Sequence, residues 1–490
     1  MFNISKIKIF SVSTMLGCTL ALSGPAFATN EAMLDLLRIM RDNGQITAEQ
    51  YELLVNAAKA DAEKVEGTRS EAAKVAKEEV EKATRDIPKV KVTTKGKLKI
   101  ESTDGAWSFQ PIGRIFWDTV WVDDDGGDLA DGGLEESGTE LRRARMGFEA
   151  KFMHVFKSKL ELDFAESGEA EWKDVWISYN NKNMWGKWDI KLGQQHVPFG
   201  HATISSSKYM ALMRRPLFAD GPQLARKVGV SFRQESADEN RWFFHTGYFL
   251  QGLDALSDEV NTDTGGEEAN FFAARLGGTP LYNDNKHMIH LAGSYQYTKP
   301  NGDTFNNIDN ALVTHLGDGD SIEADFGENT DDVNQLGAEI IGIWGPIHGI
   351  FEYVYWDVND DDGDAELDAW AFDVGYFLTG ESMKYKYGAF SGISPNNALG
   401  KGGWGAWQLA ARIENMDLND GFDIDGGEAT VFTVGLNWYP VSNVRFMANY
   451  GTVLDFDCQD TTTIDFDGCN NTLGDSIEPS AFSLRAQVYW

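Results

Sequence analysis

At 490 residues, with 43 basic against 76 acidic side chains and a net charge of −33, the chain is no nucleic-acid binder. A phosphate backbone needs a basic footprint. Fifty glycines with 15 Trp, 15 Tyr and 29 Phe, but few prolines, suit many short strands edged by aromatic belts.

Residues 1–28 have the composition of an export signal. Lys6 and Lys8 precede an apolar run from Ile9 to Leu22, and Ala26-Phe27-Ala28 forms a small-residue cleavage site. The expected mature start is Thr29. A lipoprotein cut at Leu16-Gly17-Cys18 would shorten the apolar run and leave Ala-Phe-Ala unused.

Residues 29–105 read as a short periplasmic α-helical segment and linker. Met33, Leu34, Leu36, Leu37, Ile39 and Met40 form an apolar stripe, Asn43-Gly44 breaks it, and a second helix starts at Thr47. From Ala57 to Arg85 the chain is rich in Ala, Glu and Lys. Ala58, Val65 and Ala72 stand at heptad offsets, which a coiled coil and a solvated single helix explain about equally. Pro88 ends the helix, and a basic linker from Lys89 to Lys99 follows.

From 106 to 490 the period is two. Ala144, Met146, Phe148, Ala150 and Phe152 alternate with Arg143, Arg145, Gly147, Glu149 and Lys151. Sixteen strands are expected at 107–121, 140–152, 157–165, 172–180, 186–193, 225–234, 241–250, 270–278, 287–297, 334–343, 348–358, 367–378, 404–414, 429–439, 443–453 and 480–490. A further candidate at 382–391 falls in a connecting segment. Connections alternate between short turns such as Gly345-Pro346 and long loops such as 122–139, 298–333 and 454–479; 379–403 breaks the rule by being long on the turn side. Beyond the signal, no apolar run is long enough for a spanning helix. The fold class is therefore all-β, a transmembrane antiparallel barrel of about 16 strands in a Gram-negative outer membrane. The last strand, with Phe482, Leu484, Ala486, Val488 and Trp490 in one phase, resembles an outer-membrane assembly signal.

The acids concentrate in the long loops. Loop 122–139 has seven and 251–269 has six, with no Lys or Arg in either; 298–333 has nine against Lys299 alone. Such carboxylates suit Ca²⁺ or Mg²⁺ bridging to lipopolysaccharide, although Asp360-Asp361-Asp362-Gly363-Asp364 lacks EF-hand spacing. Solvated acidic loops are the plainer reading. Loop 194–224 differs, holding Lys208, Arg214 and Arg215 against Asp220. Arg114, Arg143 and Arg145 have the polar phase of their strands, Arg226 and Lys227 follow the loop, and Arg275, Arg412, Arg445 and Arg485 are further inward candidates. Rings of Arg or Lys select anions. The plainer alternative pairs these cations with Asp118, Glu149, Glu161 and Asp163. With Cys18 in the signal, Cys458 and Cys469 remain, both in one polar loop of an oxidising compartment, and a disulfide between them is expected. Enzyme motifs are missing: there is no Gly-x-Ser-x-Gly and no His-Glu-x-x-His, and His287 and His290 read as capping residues on an exposed turn with Asp284. No cofactor is called for.

Several short runs carry a family likeness. Ile112-Gly113-Arg114-Ile115, the octapeptide Glu-Leu-Arg-Arg-Ala-Arg-Met-Gly at 140–147, Leu192-Gly193-Gln194 with Val197-Pro198-Phe199-Gly200, and Thr379-Gly380-Glu381 before Gly405-Ala406-Trp407 occur in order. Together they make 106–490 resemble the phosphate-selective porin O and P family. The resemblance implies a sixteen-stranded barrel, a homotrimer, and in each protomer an anion channel with arginines at a narrow eyelet, open to phosphate or polyphosphate. In general porins the third outer loop folds into the lumen, and 194–224 is the third outer loop here. Arg114, Arg143 and Arg145 fall where the family's motif supplies lumen arginines; Lys208, Arg214, Arg215 and Arg226 would furnish the loop side. The family's phosphate channels gather lysines at the mouth, whereas this mouth is acidic. The competing readings are a general, non-specific porin and a structural outer-membrane tether.

Overall fold

A computed structural model describes residues 26–84, 90–93, 98–123, 137–165, 170–219, 226–250, 269–284, 286–300, 307–316, 322–325, 330–360, 364–420, 424–457 and 479–490. Cys458, Cys469 and Asp220 lie outside them, as do residues 1–25, where most of the expected export signal falls.

The chain divides into a helical unit, 1–89, and a barrel unit, 90–490. In the first, α1 (Ala26–Asp42) and α2 (Ala48–Thr84) are separated by a short turn. Gly44, with φ of 72°, stops α1, and its left-handed backbone lets the Gln45 N–H return to the Met40 carbonyl at 2.9 Å. Thr47 caps α2: its Oγ1 accepts from Gln50 N, and its own N–H donates to Gln50 Oε1 at 3.0 Å. No described helix is long and apolar enough to cross a membrane.

In the second unit, β1 (Val90–Thr93) and β2 (Lys99–Ser102) form a hairpin laid against the first barrel strand. The basic segment expected as a linker is therefore partly strand; Val-Lys-Val-Thr and Lys-Ile-Glu-Ser both have strand alternation.

The barrel strands are β3 (Ser108–Asp123), β4 (Gly138–Phe152), β5 (Phe156–Asp163), β6 (Glu171–Asn183), β7 (Gly186–His196), β8 (Arg226–Ser236), β9 (Trp242–Leu250), β10 (Asn270–Asn283) and β11 (His287–Lys299). Two short strands, β12 (Asn307–Asn310) and β13 (Ile322–Asp325), pair only with each other. The wall resumes with β14 (Thr330–Trp344), β15 (Ile347–Asp360) and β16 (Ala365–Phe377). A second separate hairpin, β17 (Lys384–Lys386) and β18 (Ala389–Ser391), precedes β19 (Ala406–Asp420), β20 (Ile424–Val441), β21 (Val444–Asp457) and β22 (Ser480–Tyr489). All sixteen expected strands are present, and β22 pairs with β3, closing an antiparallel barrel with no free edge. The candidate at 382–391 is indeed outside the wall. The segments left between expected strands at 359–366 and 415–428 are partly strand, because the β15–β16 and β19–β20 ladders continue outward.

The alternation sorts side chains as a membrane barrel requires. In β3, Arg114, Phe116, Asp118 and Val120 are buried, whereas Ile115, Trp117 and Trp121 are exposed on the outer face. Phe482, Leu484, Val488 and Trp490 share that outer face. Near the turn end, Trp107, Phe152, Phe156, Tyr179, Trp188 and Phe232 form a chain of ring contacts along β3–β8 with centroids 5.5–6.3 Å apart. This is one arc of an aromatic girdle. Gly113 serves the seam: its backbone exchanges hydrogen bonds with Trp490, and a Cβ there would lie 2.2 Å from the Trp490 ring.

Candidate functional site: a lumen narrowed from both ends

Between β7 and β8 the chain turns into the barrel. Val197, Phe199, Leu212, Leu217 and Phe218 are buried, and α3 (His201–Ile204) forms one turn. The Glu352 carboxylate on β15 accepts from the backbone N–H groups of His201 and Ala202, at 2.6 and 3.0 Å. These are donors a helix start leaves free. Further along, wall side chains donate to a series of loop carbonyls: Gln487 to Lys208 at 3.1 Å, Arg445 to Met210 at 2.5 Å, Asn437 to Ala211 at 2.7 Å, Arg485 to Met213 at 3.0 Å and Arg412 to Arg214 at 3.2 Å. The third loop is thus fastened to the β15–β22 side of the lumen. A small cavity of about 30 Å³, lined among others by Ala202, Met210, Phe390 and Arg412, lies between loop and wall.

Two further segments enter the lumen. The turn-side connection 378–405 sends β17–β18 inward: Tyr385 Oη meets His290 Nδ1 at 2.8 Å, Arg275 donates to the Gly388 carbonyl at 3.0 Å, and Asn240 accepts from Tyr387 N at 2.8 Å. This hairpin touches the third loop, since His201 Nδ1 lies 3.0 Å from the Gly388 carbonyl and the His201 ring meets Phe390 edge-on. Burial holds the His201 imidazole down to about 4, so it is neutral in this contact. From the outer side, Ile308, Leu312, Val313, Ile322 and Ala324 join the third loop's Phe199, Ala202, Leu217 and Phe218 in one core.

These contacts correct two sequence readings. His290 is not on an exposed turn; it is fully buried in β11, with Nε2 2.6 Å from Glu339, which also binds Arg275. Loop 298–333 is not solely an acidic fringe, because part of it packs inside. The signals were available in the apolar residues Ile308, Leu312, Val313 and Ile322 within an acidic loop, and in the odd length of 379–403.

Of the seven candidate cations, six face one region. Arg114 pairs with Glu161 at 2.9 Å and donates to Ser207 Oγ at 3.1 Å. Arg145 pairs with Asp163 at 2.6 Å, and Arg226 lies 3.3 Å from Asp174. Lys159 is shared between Glu161 and Asp174. Arg143 forms no ion pair with any carboxylate among the described residues, and the charges of Arg145, Arg142, Arg215 and Arg114 all act on it. Arg215 also donates to the Ser205 carbonyl at 2.9 Å. Lys208 lies over the rings of Tyr209 and Tyr489, 5.5 and 5.4 Å from their centroids. Burial, reinforced by Arg114 and Lys159, pulls the Lys208 ammonium down to about 8. Arg214 departs from the group, reaching Asn310 Oδ1 at 2.8 Å and the Ala311 carbonyl at 2.5 Å, where it joins two inward segments. The plain alternative holds in part: Glu161 and Asp163 do pair with Arg114 and Arg145, and Asp118 pairs with Arg485 at 2.5 Å.

The family model described as phosphate-selective porin O and P matches residues 118–490. An uncharacterized protein of Caulobacter vibrioides is 30% identical over 378 residues, covering 74% of this chain and 72% of its own. Porin O of Pseudomonas aeruginosa is 22% identical over 400 residues, covering 75% of this chain and 87% of its own. Among solved structures, the trimer form of OmpT from Vibrio cholerae aligns with a TM-score of 0.47 at 13% identity, over 79% of this chain and all of that one.

Proposed function

Because this chain belongs to the phosphate-selective porin O and P family of outer-membrane channels, we propose that it conducts small anions passively, phosphate or polyphosphate among them, through a basic filter on the β3–β8 side of the lumen. The single observation that carries this reading is the crowding of Arg114, Arg142, Arg145 and Arg215 around Arg143, which forms no ion pair with a described carboxylate. Family and fold are those of channels. The fastened third loop and the inward hairpin fill the opposite side, so a solute passes the wall bearing Arg114, Arg143, Arg145 and Arg226, with Lys208 and Arg215 facing it. A low-dielectric constriction strengthens their pull on an anion relative to bulk water.

The general-porin reading keeps one specific support: Glu161, Asp163 and Asp174 offset part of the patch. Phosphate titrated against chloride current in planar bilayers separates the two. Saturable block by phosphate supports a phosphate filter; chloride current indifferent to phosphate supports a general pore. We extend the proposal to a homotrimer, with 29–105 as a periplasmic segment. Heat-labile trimers on gels would bear out the first, and unchanged conductance after deleting 29–105 would place the pore in the barrel alone.

A further inference from the structure

The outer end of the lumen holds a group of side chains that the anion pathway does not use. Asp118 on β3, Glu140 on β4 and His315 in the inward part of loop 298–333 each offer one ligand atom, and these atoms all lie within 4.8 Å of one another. A register shift between Phe116 and Asp118 brings them together. Phe116 faces Arg143, but Asp118 faces Glu140, so one extra residue on β4 keeps Leu141 exposed outside and turns Glu140 inward beside Asp118. Bulges commonly re-aim a side chain next to a functional site. On the loop side, the buried residues Leu312, Val313 and Thr314 fix the segment that carries His315.

The contacts are those of a ligand set more than of a finished hydrogen-bond network. His315 Nε2 lies 2.8 Å from Glu140 Oε1, yet Glu140 Oε1 is a buried acceptor without a hydrogen-bond partner, and so is His315 Nδ1. Buried polar atoms are rarely left in that condition. Asp118 is oriented by Arg485, whose Nε and Nη2 donate to Oδ1 and Oδ2 at 2.7 and 2.5 Å. Each carboxylate oxygen retains a second lone pair, and partners of this kind commonly orient metal ligands.

We infer that Asp118, Glu140 and His315 bind one divalent transition ion of the Zn²⁺ class, clipping the inward loop to the β3–β4 wall. An imidazole beside two carboxylates favours such an ion over Ca²⁺ or Mg²⁺, and three protein ligands leave a fourth position for water. Arg142, Arg143 and Arg485 all act on Glu140, which limits affinity.

The test is calorimetric titration of Zn²⁺ into the chelator-stripped full-length protein in detergent, with excess Mg²⁺ present to occupy exposed acidic loops. One saturable Zn²⁺ site per protomer is expected, weakened at least about tenfold in His315→Gln and in Glu140→Gln and unchanged in His287→Gln. His315 lies in a loop, so its variant decides the matter even if Glu140→Gln fails to fold. Lack of a saturable site, or a site that His315→Gln leaves intact, would overturn the inference.

Discussion

The two sides of this lumen hold the same residue type in opposite employment. On the β16–β22 side, Arg412 and Arg485 are matched by Asp373 and Asp118, and with Arg445 they hand their remaining N–H groups to carbonyls of the third loop. On the β3–β8 side, Arg143 is ion-paired with no carboxylate among the described residues, and the charges of Arg145, Arg142, Arg215 and Arg114 act on it. An arginine becomes a fastener where a carboxylate and a loop carbonyl converge on it. It becomes part of a field where neither does.

Breaking a fastener should have the largest effect. Arg485→Ala leaves Asp118 buried and unpaired and frees the Met213 carbonyl, so stability should fall by about 3–5 kcal/mol, whereas Arg143→Ala should be near neutral. Urea unfolding of the two variants in lipid would measure the contrast. Glu352→Ala removes the acceptor for two α3 N–H groups and should cost about 1–3 kcal/mol, with noisier single-channel current as the loop loosens. On the field side, Lys208 supplies a pH signature. Its cation is present below about 8 and lost above, so anion preference should decline as pH rises through that value, and Lys208→Met should remove the step. Stability moves the other way: the unfolded chain holds this proton up to the ordinary lysine range, so folding is favoured as pH rises from about 8 toward 10.5. The smallest effect is expected at the rim. Neutralising the exposed Asp331, Asp364 and Glu366 should change only the salt dependence of conductance, because exposed charges are screened.

Much of the wall was legible in the sequence, because a period of two in a closed sheet leaves no choice about which face meets lipid. The lumen was less so. Nothing in the composition of 194–224 separates Arg214, a tie to Asn310, from Arg215, which faces the basic patch. That difference arises from which way two adjacent residues point on an irregular backbone. The inward hairpin at 384–391 announced itself only as a connection too long for its side, and His290 could not be read as buried until β11 was seen to run beside it. Pairings such as Arg485 with Asp118 join the two ends of the chain across the barrel seam, where sequence spacing carries no information.

The most direct test of a wall-borne filter is the zero-current potential across a bilayer in a potassium chloride gradient. It should be read for the native protein, for Arg143→Gln with Arg215→Gln, and for the rim triple variant. The native channel should prefer chloride, the Arg143/Arg215 pair should abolish most of that preference, and the rim variant should leave it nearly unchanged. Equal, small shifts in both variants, or a native channel without anion preference, would contradict a filter on the β3–β8 wall.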